Sequence, residues 1–188
     1  MRISPYPTLP PSHSPTLNLC PMNFLIQTAR LALRPFAPED APYLFELNND
    51  PEVIKYTGDS PFESQQAALE FILQYDQYQR YGMGRWTVLD KATGDYLGWC
   101  GLKYIPSLDE VDVGYRFMKK HWGKGYATES AAACLQYGFE KLELTRIVGR
   151  AIKENVASVR VFEKIGMRFE AEINFEEHPG VLYVIHHL

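Results

Sequence analysis

The sequence predicts an α/β protein with a mixed, largely antiparallel central sheet and helices packed on it. Three observations predict it. Strand and helix patterns follow one another over residues 24–188 in the order β, α, α, β, β, β, α, β, α, β, β, a mixed order rather than a strict βαβ alternation. Two of the strands are joined by Lys91-Ala92-Thr93-Gly94-Asp95, a hairpin connection. A glycine-rich turn, Gly123-Lys124-Gly125, leads from a period-two run straight into a period-3.6 run.

Residues 24–36 read as a first strand, broken by Pro35 and Pro38. Pro38-Glu39-Asp40 opens a short helix carrying Leu44 and Leu47, closed by Asn48-Asn49-Asp50-Pro51. Residues 51–59 read as an irregular link. Ser60-Pro61-Phe62-Glu63 has the form of a capping box with proline at the first helical position. The helix it introduces carries Ala68, Leu69, Ile72 and Tyr75 on one stripe and ends near Gly82. Strands follow over 85–90, 96–104 and 110–117. In the last of these Val111, Val113, Tyr115 and Phe117 alternate with Glu110, Asp112, Gly114 and Arg116, so one face is expected in the core. Ala127, Ala131, Cys134, Leu135, Gly138, Phe139 and Leu142 mark the next helix. A strand over 144–152, a helix capped by Asn155 and ending at Gly166, and strands near 167–173 and 181–187 complete the chain.

Length and composition narrow the function. At 188 residues one domain is expected, with 46% apolar and 22% charged residues, ordinary values for a globular protein. The formal charge of −4 argues against nucleic acid as the main partner and suits a cationic substrate such as an amine. Cys20, Cys100 and Cys134 form no C-x-x-C pair, which points to a reducing, cytoplasmic setting without a disulfide framework. The five histidines show no metal-ligand spacing, and His186-His187 reads as a strand terminus, so no metal is expected. No apolar run reaches membrane-spanning length, so no membrane partner is expected. Residues 1–21 hold six prolines and no apolar period and are expected to be a disordered extension, with the domain occupying 22–188.

The turn over 122–129 carries the chemistry. A glycine-rich passage into a helix leaves backbone N–H groups free at the positive end of the helix dipole, an anion site. Gly123 and Gly125 allow close backbone approach, Ala127 is small, and Lys124 adds a cation. The P-loop pattern fails because Met118 stands where its first glycine belongs and Gly125 follows the lysine. The dinucleotide fingerprint fails because Thr128 occupies its last position. What remains resembles the pyrophosphate loop of the GNAT superfamily, the Gcn5-related N-acetyltransferases: arginine or glutamine, two residues, glycine, one residue, then glycine or alanine. Trp122 departs from the first position. The run Trp122-Gly123-Lys124-Gly125-Tyr126-Ala127-Thr128-Glu129 is similar to the ribosomal-protein-alanine acetyltransferase branch.

That resemblance extends over residues 24–188 and implies an acyl-CoA N-acyltransferase fold with acetyl-CoA as cosubstrate. It implies cofactor contacts from Trp122, Gly123, Lys124, Gly125, Tyr126, Ala127 and Thr128. It also implies carbonyl polarisation by backbone N–H groups near Phe117 and Met118, where the strand ends beside the thioester. A second landmark, Asn155-Val156-Ala157-Ser158, implies that Asn155 bonds the pantetheine arm and that Ser158 lies near the cofactor. Each also has a plain structural reading, as helix cap and first-turn residue. Many relatives carry a tyrosine acid at the position of Phe162; here Ser158 or water is the candidate proton donor. Glu110 and Asp112 share a face with Gly114, whose missing side chain is expected to leave room for the thioester, and are the candidate bases. Glu110 is favoured by analogy with family members that use a glutamate on this strand. Cys134 reads as core, and Tyr56, Asp59 and Tyr104 as acceptor-pocket residues.

The resulting expectation is acetyl transfer to a primary amine, a protein or peptide α-amine or a small molecule, by a monomer or homodimer. A non-catalytic acyl-CoA-binding module is the alternative from another class. A nucleotide-dependent phosphotransferase lacks both P-loop and metal carboxylates.

Overall fold

The computed structural model describes residues 24–175 and 178–187; the extension expected over 1–21 lies outside them. The first predicted strand is in fact a hairpin, β1 (Ile26–Gln27) and β2 (Leu31–Pro35). Thr28 makes the turn: its N–H donates to the Leu31 carbonyl at 2.9 Å, and its hydroxyl accepts the Leu31 N–H at 2.9 Å. A 3₁₀ turn at Pro38–Asp40 enters α1 (Ala41–Asn49). Asp40 is buried there, bonding the Arg34 guanidinium twice (2.7 and 2.8 Å) and the Thr87 hydroxyl at 2.6 Å.

Two helical boundaries differ from expectation. Residues 51–54 are a short helix, α2 (Pro51–Ile54), because the Asp50 carboxylate accepts the Glu52 N–H at 2.9 Å. The next helix, α3 (Gln65–Leu73), is capped by Ser64, whose hydroxyl accepts the Ala67 N–H at 3.1 Å. Ser60–Glu63 stays outside it because Asn49 bonds both backbone groups of Phe62, each at 3.1 Å, and holds that segment against α1. The stripe is then interrupted before α4 (Gln77–Tyr81). Tyr75 accepts the Arg85 N–H at 2.7 Å and Tyr78 the Phe36 N–H at 3.1 Å, tertiary bonds that a local pattern does not contain.

The remaining elements follow the predicted order: β3 (Arg85–Asp90), β4 (Tyr96–Ile105), β5 (Glu110–Phe117), α5 (Tyr126–Lys141), β6 (Arg146–Ile152), α6 (Val156–Lys164), β7 (Arg168–Phe175) and β8 (His178–His186). They form one eight-stranded sheet in the order β1-β2-β3-β4-β5-β6-β8-β7. Among the described residues every pairing is antiparallel except β5 with β6, which are joined by the crossover through α5. α5 and α6 cover one face of the sheet, over a core that includes Val111, Val113, Ala131, Cys134, Leu135 and Phe162, with Tyr115 packed against it. Gly138 lets α5 sit close: a Cβ there would lie 2.8 Å from both Ile147 and Leu102. The second core, on the other face, joins α1 and α3 to the sheet through Leu44, Leu47, Ala68, Ile72 and Met118. No described helix is long and apolar enough to cross a membrane.

Candidate active site

β5 and β6 meet at a single register pair, Asp112 with Val148, and then part. Toward β4, β5 is paired along its whole length, from Ile105–Glu110 to Gly98–Phe117. Just past that ladder the Met118 N–H donates to the Leu97 carbonyl at 3.0 Å. Antiparallel alternation therefore turns the backbone groups of Val113, Tyr115 and Phe117 away from β4 and toward β6. Past Asp112 those of Tyr115 and the N–H of Phe117 face an opening with no strand opposite. The Phe117 carbonyl is taken by the Trp122 indole N–H at 2.7 Å. Phe117 thus presents a donor to the gap, whereas the Met118 N–H is committed elsewhere. An extended amide-bearing chain laid between the strands could pair with these groups.

At the end of that opening stands the glycine turn. Gly123 and Gly125 have φ of +74° and +80°, which a residue with a side chain adopts only at a cost. Gly125 is the cap of α5 and carries nothing to bond its first turn; the first helical bond is Glu129 N–H to the Gly125 carbonyl at 3.0 Å. The N–H groups of Tyr126, Ala127 and Thr128 are thereby left as free donors at the positive end of a 16-residue helix. Trp122, Gly123, Lys124 and Gly125 are exposed. This donor set fits a pyrophosphate.

A residue that the motif does not contain completes the turn. Arg30, from the β1–β2 connection, donates to the Lys124 carbonyl at 3.0 Å and to Glu129 at 2.7 Å, and lies 4.7 Å over the Tyr126 ring. Thr28 also donates to Glu129, at 2.6 Å. Burial alone would raise the Glu129 carboxyl, but these bonds outweigh it and hold it below the usual carboxylate range. Glu129 therefore ties α5 to the first hairpin rather than bonding within its own helix.

On the helical side of the gap, the Asn155 side-chain oxygen caps α6 by accepting the Ser158 N–H at 3.2 Å. Its amide N–H₂ and the Ser158 hydroxyl make no hydrogen bond to the described residues and remain available. The Tyr115 hydroxyl donates to the Ser158 carbonyl at 3.2 Å, a bond that joins β5 to α6 beside the opening, and burial pushes its phenol upward. Phe162 is buried against Gly149, where a Cβ would lie 2.7 Å from the ring.

The two carboxylates of β5 have different surroundings. Asp112, 9% exposed, is bonded to the Arg85 guanidinium and sits where β5 and β6 separate. Glu110 lies toward the closed end of the pair, bonded to Arg146 at 2.5 Å and to Arg150. Burial would raise the Glu110 carboxyl, but Arg146 and Arg150 together hold it below the usual range. The space over Gly114 is filled: a Cβ there would lie 2.6 Å from the Arg85 guanidinium. The missing side chain admits an arginine rather than leaving room for a thioester.

A cavity of about 600 Å³ lies between this face of the sheet and the first helices. Phe36, Phe62, Phe71 and Tyr75 form an aromatic wall, with Phe36 and Tyr75 edge to face at 5.2 Å. The sheet contributes Arg85, Trp99, Lys103 and Arg116; the two guanidiniums lie over the Trp99 ring at 5.5 and 5.3 Å. Asp59 also lines it, paired with Arg116. Tyr104 and Glu110 line a separate cavity of about 370 Å³, where Tyr104 donates to Asp109 at 2.7 Å. Neither cavity includes Tyr56 among its lining residues.

Residues 30–168 match the sequence profile of the acetyltransferase (GNAT) domain. The chain belongs to the GNAT family. It is 36% identical over 160 residues to an uncharacterized protein, YkkB, of Bacillus subtilis (strain 168), covering 83% of this chain and 92% of that one. It is 26% identical over 153 residues to spermidine N(1)-acetyltransferase of Escherichia coli (strain K12), covering 77% and 76%. The fold superposes on a GNAT-family acetyltransferase from Bacillus anthracis with a TM-score of 0.76, at 28% identity, over 86% of this chain and 97% of the other. As a GNAT protein the chain is an acetyl-CoA-dependent acetyltransferase.

Within the GNAT framework the glycine turn, Phe117, Asn155, Ser158 and Asp112 are gathered around one opening, while Glu110 lies in the neighbouring charge cluster. Arg30, Arg85, Lys103 and Arg116 are not among the site residues expected from the sequence. Arg116 alone carried a signal, since it follows Asp112 and Gly114 on the same strand face. Arg30 lies 94 residues from Lys124 and Arg85 lies 27 residues from Asp112, and nothing local links them.

Proposed function

We propose that this protein acetylates a primary amine, on a small molecule or a peptide N terminus, and that the amine lies in the 600 Å³ cavity while the acetyl donor lies in the gap between β5 and β6. The observation that carries this is the strand pair that touches once and then opens toward an uncapped helix N-terminus. Acetyl-CoA supplies a thioester carbonyl open to attack and a thiolate able to leave.

The chain supplies the rest. Three N–H groups at Tyr126, Ala127 and Thr128 receive the pyrophosphate, with Lys124 as a nearby cation and Trp122 anchoring the turn to the strand. The free amide of Asn155 and the backbone of Tyr115 orient the arm that enters the gap. The Phe117 N–H, aimed into the gap, stabilises charge gathering on the carbonyl oxygen, a role typically worth about 10²–10³ in rate. Met118 contributes packing instead.

An alkylammonium must lose a proton before its nitrogen can attack. Asp112, at the point of separation and linked to the cavity through Arg85, is the better placed of the two carboxylates, directly or through water. Glu110 is held ionised by Arg146 and Arg150, which lowers its affinity for a proton. As the nitrogen–carbon bond forms the carbon–sulfur bond breaks, and the sulfur takes a proton from the Ser158 hydroxyl or from water.

Gly125→Glu tests the arrangement. It places a side chain and a negative charge on the cap at φ +80°. Calorimetry should detect no CoA binding by the variant, with its circular dichroism unchanged. A folded variant that binds CoA with wild-type affinity would sink the assignment.

A further inference from the structure

The charges that surround the large cavity do not cancel, and what is left over is positive. Arg116 is met by Asp59 and by Asn48 at 2.6 Å, and Arg85 is met by Asp112 behind the cavity floor. Asp76, which also lines the cavity, is paired with Arg80 at 2.7 Å. Each of these carboxylates is thus already engaged by a guanidinium. The Lys103 ammonium, by contrast, makes no hydrogen bond or ion pair with a described residue. It stands on β4 in register with Asp112, but the Arg85 guanidinium occupies the position from which that carboxylate could answer it. Behind Asp112 a further guanidinium, Arg150, lies 3.9 Å from its second oxygen and has a buried nitrogen with no hydrogen-bond partner.

A di- or polyamine needs free carboxylates at the positions of its remote ammonium groups. Here it would have to share Asp59 or Asp76 with the guanidiniums already paired to them, and it would meet Lys103 besides. An amine carrying a carboxylate meets the opposite situation: an unanswered ammonium at one side and an aromatic wall for its apolar body. The sign is contrary to the net charge of the chain, −4, so composition pointed the other way.

Resting on the transferase reading above, we propose that the acceptor is a carboxylate-bearing amine of the α-amino acid type, whose carboxylate is received by Lys103 and whose apolar side chain packs on Phe36 and Phe71. Proximity to a carboxylate-reading cation also separates such acceptors from their uncharged derivatives, which keep the same amine and body.

The test compares aromatic and aliphatic α-amino acids with their amides and with spermidine. Two readouts are needed: thiol release from acetyl-CoA, and calorimetric affinity for protein saturated with CoA. The acids should bind at least tenfold more tightly than their amides and be turned over with at least tenfold higher kcat/KM. Lys103→Glu, an exposed position, should reverse the order of acid and amide in both readouts. Equal or better binding of the amides or of spermidine overturns the proposal, as does a Lys103→Glu variant with unchanged preference. If the acids bind selectively yet no amine releases thiol, the acidic-ligand site stands and the transferase reading of it falls.

Discussion

At the scale of single residues, the surroundings of Glu110 and Asp112 decide which of two chemically similar groups can act. Two arginines hold Glu110 as a carboxylate and lower its affinity for a proton. Asp112 is also ion-paired, but with the arginine that lies over Gly114 on the cavity side. Asp112→Asn is expected to lower kcat by about 10²–10⁴ near neutral pH, with partial recovery as pH rises and more of the amine arrives unprotonated. Glu110→Gln is expected to change kcat less and to leave the shape of the pH–rate profile intact. Profiles of both variants, with CoA affinity measured alongside, check this; a larger loss in Glu110→Gln would return the role to Glu110. Gly114 belongs to the same scale. Its alternation with Asp112 was readable, but the guanidinium that occupies its empty side comes from β3, and no strand period reports a neighbour's rotamer.

At the scale of elements, the glycine turn proposed to receive the pyrophosphate does not stand alone. It is braced by the β1–β2 hairpin, whose Thr28 and Arg30 grip Glu129 on α5 and whose Arg30 also holds the Lys124 carbonyl. Glu129→Gln should loosen both ends. Charge-assisted hydrogen bonds of this kind, discounted for exposure, are worth about 1 kcal/mol here, so a roughly fivefold to tenfold loss of CoA affinity is expected by calorimetry. The pH dependence has a definite sign. The Glu129 carboxyl is held below its ordinary 4.5, so its contribution to stability is complete above that value and disappears as pH falls through the lowered folded value. The melting temperature of the wild-type protein should therefore drop more steeply on acidification than that of Glu129→Gln. Parallel slopes would show that the hairpin does not brace α5.

At the scale of the whole molecule, a chain beginning at Met22 should keep the melting temperature and turnover of the longer one. The six prolines before it offer no apolar period, and the sheet's edge begins with β1 at Ile26. A loss of several degrees would show that the extension packs on the domain. Several features of the molecule are legible in the sequence, each for a local reason. Strand and helix order follow from side-chain periodicity, the turn at Gly123 and Gly125 from the one residue type that tolerates its backbone, and the Asn155 cap from a bond three residues long. The GNAT resemblance followed from that turn, because a glycine-rich passage into a helix is itself a short-range property of the chain. What required tertiary structure was everything joined across the sheet: the hairpin within 24–36, the break between α3 and α4, the parting of β5 from β6, the arginine over Gly114, and the sign of the charge left in the cavity. Those depend on which distant side chains share a space, and an ion pair closed through the fold leaves no period in the sequence.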